Sequence, residues 1–192
     1  MIILVTAIPV DQFSADPLGI PVFTDLMPPH REAGVVDFRL GGLVSKWMRE
    51  RTVDPDTSTP TLLSSSGRPF PLLVISGGGA FLQLSPQASV DLLGALTATM
   101  LRARFDLFSL AARDLRKSLL SPRNAAETIL HGIARGYDAA LPFHHTIRLH
   151  WDDEQAEILV QELHRCRFHL PAARDWEIKR APEDVGWLGA PG

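Results

Sequence analysis

Cysteine occurs once in the 192 residues, at Cys166. That excludes a disulfide framework and a cysteine-rich zinc site, and it fits a reducing compartment such as the cytoplasm. No apolar run approaches the length needed to cross a bilayer. The opening "MIILVTAIPVDQF" is apolar but has no basic flank or small-residue cleavage site, so it reads as a buried strand rather than an export signal. An excess of one charge is missing too. The formal net charge is -3, with basic and acidic residues interspersed, which leaves no electrostatic footprint for nucleic acid or a membrane surface. Internal repeats and low-complexity tracts are absent. What is present is a 45% hydrophobic chain of the size of one α/β domain, enough to bury a substantial core.

Residues 2–6 read as a first strand, and residues 9–29 as a proline-punctuated connection carrying an edge strand around Pro21 to Thr24. Val36, Leu40, Leu43, Val44 and Trp47 recur at helical spacing and predict one amphipathic helix from about Ala33 to Glu50, burying Leu40, Leu43 and Trp47. "TLLSSS" and "PLLVIS" are two neighbouring strands. Ser85-Pro86 and Ser121-Pro122 are each an N-cap followed by proline at the first helical position, opening two long helices. Gly136 is placed to end the second in a left-handed cap. Residues 107–111 and "HTIRLHW" are further strands, and Asp152 or Asp153 caps a last helix. Strands alternating with helices of this length predict a three-layer α/β/α domain on a mixed, mostly parallel sheet. It is assigned to residues 1–170, with residues 171–192 as an arm packing on the domain or on a partner.

Three consecutive glycines, Gly77 to Gly79, stand between a strand and the Ser85 helix. Ligands of open α/β sheets bind beyond strand carboxyl ends, where backbone N–H groups and a helix N-terminus can hold an anion. Ser76, Gly77, Gly78, Gly79 and Ala80 are therefore the candidate anion-binding residues, and the alternative is a sharp turn needing positive φ. The stretch is neither a Walker loop nor a GxGxxG fingerprint, since Leu82 stands where the third glycine would fall. No catalytic residue is assigned, because serines lack the GxSxG elbow and an argued His and acidic partner. No metal ligand or cofactor is assigned either. His145 and His150 would point to opposite faces of a strand, and His164 and Cys166 lie about 200° apart on a helix. Cys166 and Trp47 read as core, and Trp176 and Trp187 in the tail as packing onto the domain or anchoring a partner.

The order of "AGVVDFRLGGLVSKWMRE", "RPFPLLVISGGGAF", a long helix and "ETILHGIARGYDAAL" resembles the N-terminal domain of the leucyl aminopeptidases of peptidase family M17. Asp37, Leu40 and Ser45 fit that family's D-x-x-L-x-G-x-L-S helix, Gly77 to Gly79 its glycine turn, and Gly132 with Tyr137 its Gly-x-x-x-x-x-Tyr motif. The resemblance covers roughly residues 1–165 and implies a macro-domain-like fold. It also implies that the two-metal peptidase chemistry belongs to a separate C-terminal domain. The N-T-D-A-E-G-R signature does not occur, and the only lysines, Lys46, Lys117 and Lys179, do not sit in carboxylate-rich loops. Ligand-binding macro domains use asparagines near the ligand, whereas Asn124 is the sole asparagine here. A backbone anion site at the glycine turn is independent of that objection.

Three readings follow. The leading one is a non-catalytic interaction or regulatory module, assembling with a separate M17 catalytic subunit or with itself. The alternative is a nucleotide or ADP-ribose binding protein that holds a phosphate-containing small ligand on the glycine turn. A metal-dependent aminopeptidase is the third.

Overall fold

The computed structural model describes residues 1–13, 15–65, 69–118, 121–137 and 144–182. Seven strands form one sheet: β1 (Ile2–Thr6), β2 (Leu18–Val22), β3 (Thr61–Ser64), β4 (Leu72–Gly77), β5 (Leu107–Ala111), β6 (Thr146–His150) and β7 (Glu177–Arg180). Their order is β3-β4-β2-β5-β6-β1-β7. Every neighbouring pair is parallel except β3 with β4. Helices α1 (Arg31–Arg39) and α2 (Leu43–Arg49) cover one face, and α3 (Pro86–Arg102), α4 (Pro122–Gly136) and α5 (Asp153–Cys166) cover the other. The fold is a three-layer α/β/α sandwich. Two apolar cores flank the sheet. Val36, Leu40 and Val44 pack with Ile20 and Ile75 on one side, and Leu93, Leu96, Ile129 and Leu159 pack with Val5, Phe108 and Leu149 on the other.

Local chemistry explains the helix starts. Ser85 Oγ accepts from Ala88 N at 3.1 Å, and Ser121 Oγ accepts from Asn124 N at 3.2 Å, each with proline at the first helical position. These are the caps that serine and proline specify. Asp152 occupies the N-cap of α5 without a side-chain capping bond, because its carboxylate is turned to Arg113.

Three expectations are corrected. The strand in the proline-rich connection is not an edge, for β2 lies between β4 and β5 and is buried throughout. Val22 O accepts from Gly78 N on the β4 side, so alternation turns Pro21 toward β5, whose pairing with β2 ends at Gly19 and Leu110. The missing N–H of Pro21 thus costs no ladder bond. The helix expected from Ala33 to Glu50 is two helices, because Gly41 and Gly42 adopt φ of 67° and 83°. Val44 and Met48 take the buried positions, while Leu43 and Trp47 are half-buried at the core margin. Gly136 is the last residue of α4 and not a left-handed cap; among the described residues the positive-φ glycines are Gly41, Gly42 and Gly79.

The tail contributes to the sheet. β7 pairs with β1, and Trp176 is buried with its ring edge-on to Tyr137, centroids 6.0 Å apart. Trp187 lies outside the described residues. Among the described residues, no helix is long and apolar enough to cross a membrane.

Candidate functional site

The glycine turn follows β4 directly, and its glycines are demanded by close packing. A Cβ on Gly77 would lie 2.4 Å from Asp54 O and 2.5 Å from Thr57 O, and one on Gly78 would lie 2.4 Å from the Phe23 ring. Only Gly79 needs a left-handed backbone, at φ 70°. The amides are committed as well. Gly78 N donates to Val22 O at 2.9 Å and Gly79 N to Pro55 O at 2.9 Å. Beyond Ala80, the amides of Phe81 and Leu82 donate to the Asp25 carboxylate at 2.6 and 3.1 Å. Those bonds, Phe81 first, hold the Asp25 carboxyl below its ordinary range. Around the cradle expected on Gly77 to Gly79, Gly78 and Gly79 thus donate within the fold, and an internal carboxylate sits on the amides of Phe81 and Leu82. Ser76 is fully buried with no hydrogen-bond partner for its hydroxyl, and Ala80 opens the 3-10 turn Phe81–Gln83.

A larger site opens at the same carboxyl ends, farther across the sheet. Pro9 and Val10 after β1, Arg113 after β5, Asp152 after β6, and Arg31, Glu32 and Val35 on α1 line a cleft of about 600 Å³. That volume suits a small organic ligand. The floor is polar and buried. Glu32 is 5% exposed and accepts from Arg113 N at 3.1 Å. Asp114 is 2% exposed; its Oδ1 has no hydrogen-bond partner and lies 3.7 Å from Arg31 Nη1.

Two arginines stand over these acids in different states. Arg113 is fixed, with Nε 3.0 Å from Asp152 and Nη2 donating to Trp151 O at 3.0 Å and Ala7 O at 3.4 Å. Arg31 is loosely held. Its guanidinium sits 5.5 Å above the Phe81 ring, and its backbone has φ 53°. A left-handed backbone at a non-glycine residue is strain of the kind that gathers at functional sites.

Burial pushes the Glu32 carboxyl well above its usual range, and repulsion from Asp114 adds to this while Arg113 opposes it. Burial likewise raises Asp114 to about 6 against the pull of Arg31 and Arg113. His150, at the end of β6, is 1% exposed; burial lowers it to about 4, so the ring is neutral near pH 7. The arrangement places a loosely paired cation, a fixed cation and protonatable buried carboxyls around one concavity, which suits an anionic ligand carrying hydrogen-bonding groups.

The other candidates remain apart. His145 Nδ1 lies 3.3 Å from Phe105 O, and His150 Nδ1 2.9 Å from Ile8 O. Among the described residues no three or more His, Cys, Asp or Glu side chains are grouped to hold a metal ion. Cys166 is buried, and burial raises its thiol, the state of an unreactive core cysteine.

No protein-family model matches this sequence, and no curated protein matches it significantly. Solved structures do. A mutant of the Oceanobacillus iheyensis macrodomain superposes with a TM-score of 0.65 at 11% identity, over 86% of this chain and 92% of that one. The fold is macrodomain-like. The Trypanosoma brucei macrodomain in complex with ADP superposes with a TM-score of 0.62 at 11% identity, over 84% of this chain and 68% of that one. A mutant of tomato leucine aminopeptidase gives 0.62 at 18% identity, over 85% of this chain but 36% of that one. This chain thus spans about a third of the tomato enzyme. At these identities the likeness establishes the macrodomain-like fold and leaves the chemistry to the residues described above.

Arg31, Glu32, Arg113 and Asp114 escaped the sequence reading, although a signal for two of them existed. Arg113 and Asp114 follow the strand "LFSLA" almost directly, where the rule about strand carboxyl ends applies as it does after β4. Arg31 and Glu32 sit behind "MPPH", where no periodicity marks an inward-facing side chain.

Proposed function

We propose that this macrodomain-like protein binds a phosphate-bearing small molecule of the nucleotide class in the cleft between α1 and the ends of β1, β5 and β6. The observation that carries this reading is Arg31. Its guanidinium stands at the mouth of a 600 Å³ cleft at the strand ends, tied to its acidic partner only at 3.7 Å. The macrodomain similar to this chain that is described in complex with ADP supports the ligand class. The glycine turn serves the site indirectly, by carrying Phe81 beneath Arg31.

Calorimetric titration with ADP-ribose, ADP and inorganic phosphate tests the reading. Binding of the two nucleotides is expected, with Arg31→Gln weakening it about tenfold or more through loss of a charge-assisted hydrogen bond. A wild-type protein that binds neither nucleotide overturns the proposal.

A second reading is a non-catalytic module of the leucyl aminopeptidase N-terminal type, assembling with a separate M17 catalytic subunit. It is favoured by the tomato enzyme and by the motif at the α1–α2 corner. There the Asp37 carboxylate accepts from Ser45 N at 2.9 Å and Ser45 Oγ at 2.6 Å, so the two motif residues clamp the corner together.

A further inference from the structure

The charge at the cleft does not balance for an anion. Arg31 and Glu32 line it from α1, Arg113 from the segment after β5 and Asp152 from the segment after β6; the buried Asp114 lies behind this lining, 3.7 Å from Arg31, and His150 at the end of β6 is neutral. With every acid ionised, two guanidinium groups oppose three carboxylates, a net charge of one negative unit. Arg113 cannot turn to a ligand without giving up Asp152 and the carbonyls of Trp151 and Ala7. Arg31 can, because its partner Asp114 lies at 3.7 Å. When it does, Asp114, 2% exposed and with one oxygen already without a hydrogen-bond partner, loses its nearer cation and keeps only the weaker pull of Arg113. A buried carboxylate in that position takes a proton rather than remain charged. The incoming negative charge presses on Glu32, 5% exposed, in the same direction.

We propose that the cleft binds its anionic ligand together with a proton, taken up by the buried pair Asp114 and Glu32 as Arg31 swings from Asp114 to the ligand. The proposal rests on the nucleotide-class reading above and adds its regulation, since affinity then rises as pH falls. With one proton bound per ligand, affinity drops by up to about tenfold per pH unit above the ionisation of the pair.

The test uses ADP-ribose, whose doubly esterified phosphates do not titrate near neutral pH. Binding heats are measured at pH 7 in several non-phosphate buffers of different ionisation enthalpy, and affinities between pH 6 and 8. The wild type is expected to take up roughly half to one proton per ligand. Asp114→Asn and Glu32→Gln, close in shape to the native side chains, isolate the pair, and loss of the uptake in either supports it. Wild-type binding with buffer-independent heats, or uptake retained in both variants, overturns the proton coupling and leaves the nucleotide reading intact. Absence of wild-type binding at every pH overturns that reading and this proposal with it.

Discussion

Asp114 is a buried acid held in place by the fold at a cost to stability. Its carboxyl is raised from 3.8 to about 6, so between those values the native state holds a proton that the unfolded chain releases. Stability contributed by this group is full below pH 4 and is lost as pH rises through about 6. His150 has the opposite sign. Lowered from 6.5 to about 4, it makes the native state release a proton that the unfolded chain keeps, so its contribution grows with pH over nearly the same range. The two blunt each other in the wild type. Asp114→Asn removes one of them, and its stability relative to wild type is expected to climb from pH 4 to pH 6 and then level off. The gain reaches up to roughly 3 kcal/mol at 1.36 kcal/mol per pH unit. Melting temperatures measured from pH 4 to 8 check this, and parallel curves for variant and wild type would contradict it. None of this was legible in the sequence, because an acid's burial depends on neighbours far away in the chain. The caps at Ser85 and Ser121 were legible, because their partners are three residues away.

At the scale of elements, α3 and α4 lie against each other through glycine. A Cβ on Gly136 would fall 2.5 Å from Gly94 O and 2.7 Å from Thr97 Cβ, and one on Gly132 would fall 2.6 Å from Leu93 Cβ. Helix propensity alone favours alanine over glycine by about 1 kcal/mol. Overpacking costs about 1–3 kcal/mol, and here the clash is with backbone, which yields less than a side chain tip. Gly136→Ala is therefore expected to lower the melting temperature, and a rise would show that propensity wins and the helices are not so closely apposed. The same two-sided meaning of glycine explains why α1 and α2 read as one helix. Apolar spacing continues through Gly41 and Gly42, and only their positive φ reveals the corner. Residues Asp37 and Ser45 carry the family-like motif because the Asp37 carboxylate caps α2 across that corner. Gly132 and Tyr137 do likewise, one by admitting Leu93 and the other by its edge contacts with His145 and Trp176. The motifs legible in the sequence are thus structural, and they identify the fold.

Across the whole molecule, the parallel strands bring five charged side chains, contributed by residues from 31 to 152, to one end of the sheet. Alternation of strands and helices made the three layers legible. The order of the strands, with β2 buried between β4 and β5, was not, since Pro21 argues locally for an edge and only the register shows its missing donor is harmless. That order determines which strand ends surround the cleft. On the proposed function, a phosphate-bearing ligand sits in that cleft and not on the glycine turn. Backbone amide NMR of the uniformly labelled protein titrated with ADP-ribose tests it most directly. The predicted result is saturable shifts concentrated at Val10, Arg31 to Val35, Arg113, Asp114 and Asp152. Shifts confined to Ser76 through Ala80, or no shifts at all at saturating ligand, would contradict it.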